Sequence, residues 1–382
     1  MIKISPNRIT SVADLYLAEM EDGIKKRYKD CIHSINTFTQ QPVSALLENG
    51  TGILDDQLVR KLLTASLEDI QNQYPDIDSY MRTCQLVYYS GFRINKELER
   101  RETSCKQVKR MEYREKYVDT YRSDWIEPIL KKHHNYSKSK LFFDRFIDEI
   151  RRGIEVLNIN LNNIFNYEKY IKAEFRHHLL NRIGIDVCPY CNRQFITQFL
   201  DKNKFKTTAD LDHFYPKSQF TLFSLSIFNF VPSCQICNSR FKLDKGIKIL
   251  NPYTAGFDQD TYFQILLGPN MKIDSLLGED TDFELELVTS ITGLESIPIH
   301  NNIELFNLNK VYQSHKDYVR ELLYKKNAYS EAYKADLKEL LSSLNLSDKE
   351  LNLFQYGFAL EPHEFGKRPL SKLAYDIIHR NS

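Results

Sequence analysis

Cys188-Pro189-Tyr190-Cys191, then Asp212-His213, then Cys234-Gln235-Ile236-Cys237-Asn238 is the stretch on which the reading of this chain turns. Two residues between paired thiols let both sulfurs converge on one ion, and four thiolates close a tetrahedral zinc site with Zn–S distances of ~2.3 Å. Such a site keeps no open position, so the ion is structural, and the 42 residues Asn192 to Ser233 must loop out and return. A redox dithiol or plain buried thiols are the alternatives, and two such pairs in one chain favour a metal. Inside the loop, Asp212-His213 follows the strand-prone Phe205 to Leu211 and precedes Phe214-Tyr215-Pro216. Neighbours on a strand face opposite ways, so a carboxylate and an imidazole serve one site only where the strand is ending, as that proline suggests. Asn238 follows the last cysteine where the chain should enter a helix, which brings it against Asp212. Oxygen ligands from Asp212 and Asn238 suit Mg²⁺ or Mn²⁺.

Composition bounds what surrounds this segment. The 382 residues predict two or three domains, and 42% hydrophobic with 27% charged content is globular. Only 13 Gly and 12 Pro exclude collagen-like and low-complexity readings. With 52 Lys and Arg against 51 Asp and Glu, net charge carries no argument for nucleic acid or membrane. Local charge does: residues 188 to 250 hold nine Lys or Arg against four Asp, so the remainder is net negative. Lys217, Arg240, Lys242 and Lys245 are the candidate phosphate-facing cations, with solvated surface as the bland alternative. Met1 to Thr10 lacks the apolar region of a secretory signal, and no apolar run approaches the ~20 residues of a spanning helix, so a cytoplasmic protein without membrane contact is expected. There is no Gly-rich phosphate loop, which argues against ATP hydrolysis by this chain.

Helical periodicity dominates the first 180 residues: a long helix from an N-cap at Ser11 through Ile35, a second from Asp55 to Ile70 stopping before Pro75, and further helices over Leu141 to Leu157 and Tyr167 to Ile183, the last ended by Gly184. Met81 to Tyr89 is ambiguous, and Lys96 to Lys116 reads as a solvated helix laced with ion pairs. His177 and His178 sit on a predicted helix and read as surface or core residues. Strand character returns at Tyr262 to Leu267 and Phe283 to Val288, then helical periodicity from Ile303, with Ser347 and Glu350 as a capping box.

The cysteine-flanked segment resembles the HNH, or ββα-metal, nucleases in their zinc-clasped form. Its order is also similar to the phage junction-resolving endonucleases, in which the last motif residue is Asn instead of His. The resemblance implies that His213 is the general base activating water, that Asp212 and Asn238 hold the catalytic metal, and that Asn229 braces the loop; it covers about 65 of 382 residues. Ala209 to Asn251, with Leu211-Asp212-His213-Phe214-Tyr215-Pro216-Lys217, looks like HNH effectors of bacterial anti-phage systems of the Septu or retron-associated kind. That likeness implies nucleic acid as substrate, DNA before RNA, and an ATPase or sensor protein as partner. The expected architecture is α+β and predominantly helical: a helical partner or regulatory domain over 1–180, an HNH core with its four-cysteine zinc over 181–255, and a mixed then helical domain over 256–382. The competing class is a non-catalytic zinc-ribbon adaptor, which has no need for hard-metal ligands inside the clasp. A transcriptional regulator ranks lowest, for want of a helix-turn-helix signature.

Overall fold

Local capping chemistry divides the N-terminal half of the chain more finely than apolar spacing predicts. The computed structural model describes residues 1–30, 46–49, 52–101, 140–268, 273–342, 345–358 and 361–380. Pro6 opens α1 (Pro6–Thr10), and Ser11 closes it instead of starting the next helix, because its N–H is taken by Asn7 O. Helix α2 (Ala13–Lys29) buries Tyr16, Met20 and Ile24 at four-residue steps; Ile32 and Ile35 lie outside the described residues. The expected helix over Asp55 to Ile70 is two. Asp55 caps α3 (Asp56–Thr64), and the Ser66 hydroxyl accepts from Asp69 N at 3.1 Å to restart the chain as α4 (Leu67–Gln73). A mid-segment serine offers its own oxygen to the backbone and so favours a cap over continuation. Pro75 opens α5 (Pro75–Arg101), because a first-turn proline loses no helical hydrogen bond. Met81 to Tyr89 belongs to α5, whereas 102–116 of the expected solvated helix lie outside the described residues. Helices α6 (Lys140–Ile164), α7 (Tyr167–Tyr170) and α8 (Ala173–Ile183) follow, and Gly184 ends α8 at φ 62°, where a Cβ would be strained.

Three two-stranded antiparallel sheets are found among the described residues: β1 (Gln198–Asp201) with β2 (Lys204–Thr207), β3 (Asp210–His213) with β4 (Phe230–Ser233), and β5 (Thr261–Leu266) with β6 (Glu284–Thr289). In the middle pair Asp212 faces Val231 and His213 faces Phe230. A π-helical segment, Cys237–Lys242, follows β4, with Leu243 N reaching back five residues to Asn238 O at 2.8 Å. The C-terminal part holds α9 (Ser296–Leu305), α10 (Leu308–Val311), α11 (Lys316–Ala328), α12 (Glu331–Leu340), α13 (Asp348–Tyr356) and α14 (Ser371–Arg380), and Ser347 with Glu350 forms the capping box that starts α13. The fold is therefore mixed α+β, with helices predominating over small sheets.

Buried side chains from residues 1–180, 181–255 and 256–382 form one continuous cluster. The N-terminal helices hold the loop between β3 and β4 through buried polar bonds as well as apolar contact. Tyr16 OH donates to Leu225 O at 2.7 Å, Asn158 Nδ2 donates to Gln219 O at 2.9 Å, and Tyr80 OH accepts from Leu222 N at 3.3 Å. Each large apolar side chain sealed there is worth about 1.5–3 kcal/mol. From the other side, Tyr312 OH donates to Cys191 O at 2.6 Å, and Asn192 Oδ1 accepts Lys372 N at 3.1 Å near the start of α14. No helix among the described residues is long and apolar enough to cross a membrane.

Candidate metal centre and active site

The first cysteine pair sits in a tight hairpin. Val187 bridges Phe195, Cys188 N donates to Gln194 O at 2.9 Å, and Asn192 turns the chain with φ 49° while its N–H meets Cys188 O at 2.8 Å. The second pair lies where β4 runs into the π-helical segment. Cys188, Cys191, Cys234 and Cys237 are all buried, and their sulfurs lie within 4.8 Å of one another. The Cys191 to Cys234 separation is 4.0 Å. A tetrahedral zinc with ~2.3 Å bonds needs sulfurs about 3.8 Å apart. Backbone N–H groups point at two of the sulfurs, Arg193 N at Cys191 Sγ (3.4 Å) and Cys237 N at Cys234 Sγ (3.5 Å). Such donors stabilise thiolate over thiol. The cluster is compatible with a structural metal site.

Strand β3 carries the candidate catalytic pair. His213 is 9% exposed, and its ring is met edge-on by Tyr167 at 4.6 Å and Phe230 at 5.2 Å. Its Nε2 lies 3.0 Å from Ser224 O, and a carbonyl only accepts, so Nε2 carries the proton of the neutral ring. Nδ1 is then the lone-pair nitrogen, and it makes no hydrogen bond among the described residues. Burial, aided by the charges of Lys217 and Lys242, pushes the imidazole down to about 3, which keeps it neutral at pH 7.

Both oxygens of Asp212 are engaged. Oδ2 accepts from Tyr190 OH at 2.6 Å, and Oδ1 accepts from Lys242 Nζ at 3.0 Å. The same ammonium donates to His213 O at 2.6 Å, so one lysine ties the end of β3 to the π-helical segment. Burial raises the Asp212 carboxyl above its ordinary value, opposed by Lys242 and the Tyr190 hydroxyl. Asn229, fully buried, accepts Tyr215 N at Oδ1 (2.7 Å) and donates from Nδ2 to Phe223 O (2.9 Å) and Tyr215 O (3.0 Å). Its amide therefore spans the loop from Tyr215 to Phe223.

Asn238 does not hydrogen-bond Asp212. Its Nδ2 donates to Asp210 Oδ2 at 3.0 Å, and Ser239 Oγ reaches the same oxygen at 3.3 Å. Asp210 and Asp212 share one face of β3 by the two-residue alternation. Asp210, Asp212 and Asn238 are oxygen-bearing side chains on this side, and hard oxygen donors are the type that Mg²⁺ or Mn²⁺ takes. Lys242, expected among the phosphate-facing cations, needs correction: it is 1% exposed and committed to Asp212, because the π-helical segment turns it inward. Arg240 and Lys245 are exposed, and Lys217 is partly exposed, pairing with Glu168 and lying 4.6 Å over the Tyr167 ring.

Motif reading missed four residues. Asp210 was open to detection as the i−2 neighbour of Asp212 on an alternating strand. Tyr190 lies between two recognised cysteines, yet nothing in the spacing says that its hydroxyl reaches β3. Tyr167 and Ser224 carry no local signal at all. His177 and His178 stand away from the cysteine cluster, His177 Nδ1 against Phe205 O at 3.1 Å and His178 against the Phe205 ring at 5.3 Å.

Compared with known proteins, the chain matches no family model, no curated protein and no solved structure.

Proposed function

We propose that this chain is a metal-dependent endonuclease of the HNH kind, hydrolysing phosphodiester bonds in nucleic acid, DNA before RNA. The observation that carries the reading is the state of His213: a neutral ring anchored by Nε2 to Ser224 O, with Nδ1 left as a lone-pair base at the end of β3, next to Asp212. A general base needs that arrangement, since the nitrogen that takes the water proton must be unprotonated and free while the other is fixed. The chain order of strand, braced loop, returning strand and helical segment supports a ββα-metal core. Cys188, Cys191, Cys234 and Cys237 would hold the structural Zn²⁺. Asp212 and Asn238 would hold Mg²⁺ or Mn²⁺, with Asp210 on the same face. Bound there, a divalent ion supplies positive charge to the phosphate and the leaving oxygen. His213 takes the proton of the attacking water at Nδ1, Asn229 keeps the loop carrying Ser224 in place, and Tyr167 shields one edge of the imidazole. Arg240, Lys245 and Lys217 are the accessible cations for flanking phosphates, and recruitment by an ATPase or sensor protein of an anti-phage system belongs to the same proposal.

The test is incubation of the full-length chain with plasmid, phage DNA and total RNA, with Mg²⁺ or Mn²⁺ and with EDTA. Cleavage should require the ion and fall ~10²-fold or more in His213→Ala, which keeps its fold and zinc. Undiminished cleavage by that variant, or zinc-bound protein inert toward every substrate with and without partner proteins, would favour the adaptor.

A further inference from the structure

We infer that Tyr190 and Lys242 are positioning residues for the catalytic ion, acting through Asp212: together they hold one carboxylate in one orientation and link it to the cysteine clasp. The inference rests on the nuclease reading above and extends it to two residues that never touch substrate.

A carboxylate has about four lone-pair directions, and an ion needs one or two of them aimed at it. At Asp212 each oxygen is given a different donor from a different segment, Tyr190 OH on Oδ2 and Lys242 Nζ on Oδ1. Two donors on two oxygens fix both the position and the rotation of the group. Neither donor is free to wander. The Tyr190 ring is fully buried and stacks on Phe306 at 4.8 Å, and the residue sits between Cys188 and Cys191. Lys242 has a second anchor on His213 O at 2.6 Å. Closure of the clasp therefore reaches Asp212 by two routes, through Tyr190 in the first cysteine loop and through Lys242, five residues beyond Cys237. Outer partners of this type govern how tightly an ion is held, typically by a factor of 10–100.

The experiment is titration of the zinc-loaded full chain with Mn²⁺, free ion being read by electron paramagnetic resonance without nucleic acid. Wild type should show a Mn²⁺ site that Asp212→Asn removes. Tyr190→Phe keeps the ring and its stacking, so it should retain zinc; it leaves Asp212 Oδ2 one donor short, which lowers the melting temperature, and read on its folded fraction it should weaken that site by about tenfold. Lys242→Arg, which keeps the charge but not the compact geometry of the ammonium, should, read on its folded fraction, weaken it as well. An Asp212-dependent site whose affinity is unchanged within twofold in Tyr190→Phe and in Lys242→Arg overturns the inference and leaves the nuclease reading standing. Absence of any Asp212-dependent site overturns both.

Discussion

The end of β3 and the last helix each bury an aspartate against a lysine, and the two pairs are built in different ways. In α14, Lys372 Nζ meets both oxygens of Asp376, at 2.6 and 2.5 Å, from one turn away on the same helix, and Phe263 N completes the set at 2.9 Å. At β3, Asp212 is met by one donor from the first cysteine loop and another from the π-helical segment. The first pair is a local contact that pins α14 to β5. The second exists only when both cysteine loops and both strands are in place. Its oxygens are shared out between two donors instead of being taken together by one ammonium. Burial raises the carboxyl of Asp376 and lowers the ammonium of Lys372, so this pair too opposes a desolvation cost with its mutual attraction.

The largest expected effect would break the comparison at its root. Cys234→Ser, or stripping the ion with a chelator, should remove stabilisation on the order of 10 kcal/mol from the region around the clasp and release Asp212, while α14 keeps its own pair. Calorimetry with zinc analysis checks this; a variant with unchanged melting and zinc content would mean that the cysteines do not organise β3. The next effect tests whether the two aspartates differ in role. Asp376→Ala and Asp212→Ala each leave a lysine buried without its partner, which costs about 3–5 kcal/mol, so both should lower the melting temperature. Per folded molecule, however, cleavage should survive in Asp376→Ala and be lost in Asp212→Ala. Equal losses in both would reduce Asp212 to a structural acid.

An ion cluster of three residues supplies the smallest contrast. Lys25 and Arg60 hold the Glu21 carboxyl below its ordinary range. A lowered folded value stabilises above the unfolded carboxylate value of ~4.3, and the gain is lost as pH falls through the folded value. With solvent screening, Glu21→Gln should cost about 0.5 kcal/mol at pH 7 and nothing near pH 2, as read by denaturant unfolding at the two values. A deficit that persists in acid would point to packing, not charge.

Much of the site is legible in the chain itself because metal chelation imposes short, recognisable spacings. Cys188, Cys191, Cys234 and Cys237 group by spacing alone, and Gly184 and the Ser347 with Glu350 cap can be placed because capping chemistry acts within one turn. Apolar periodicity is less discriminating. It runs past Ser11 and Ser66, where a hydroxyl or a turn competes with the helix over only a few residues. The helical stretch expected as a partner or regulatory domain over 1–180 carries Tyr16, Tyr80 and Asn158, which bond directly into the loop between β3 and β4.

By itself, then, the sequence determined which residues could bind a metal and where Asp212-His213 would stand in an α+β fold, since ligand identity and strand alternation are properties of neighbours along the chain. Only the tertiary structure decided that Lys242 turns inward, that Asn238 bonds Asp210, that Tyr190 reaches Asp212 and that Tyr167 covers His213. Each of these contacts joins segments 22 or more residues apart, or depends on how a π-helical turn rotates its side chains. Which of the available donors satisfies a buried carboxylate is settled by packing, because an unpaired partner in that interior costs more than any local preference can offset.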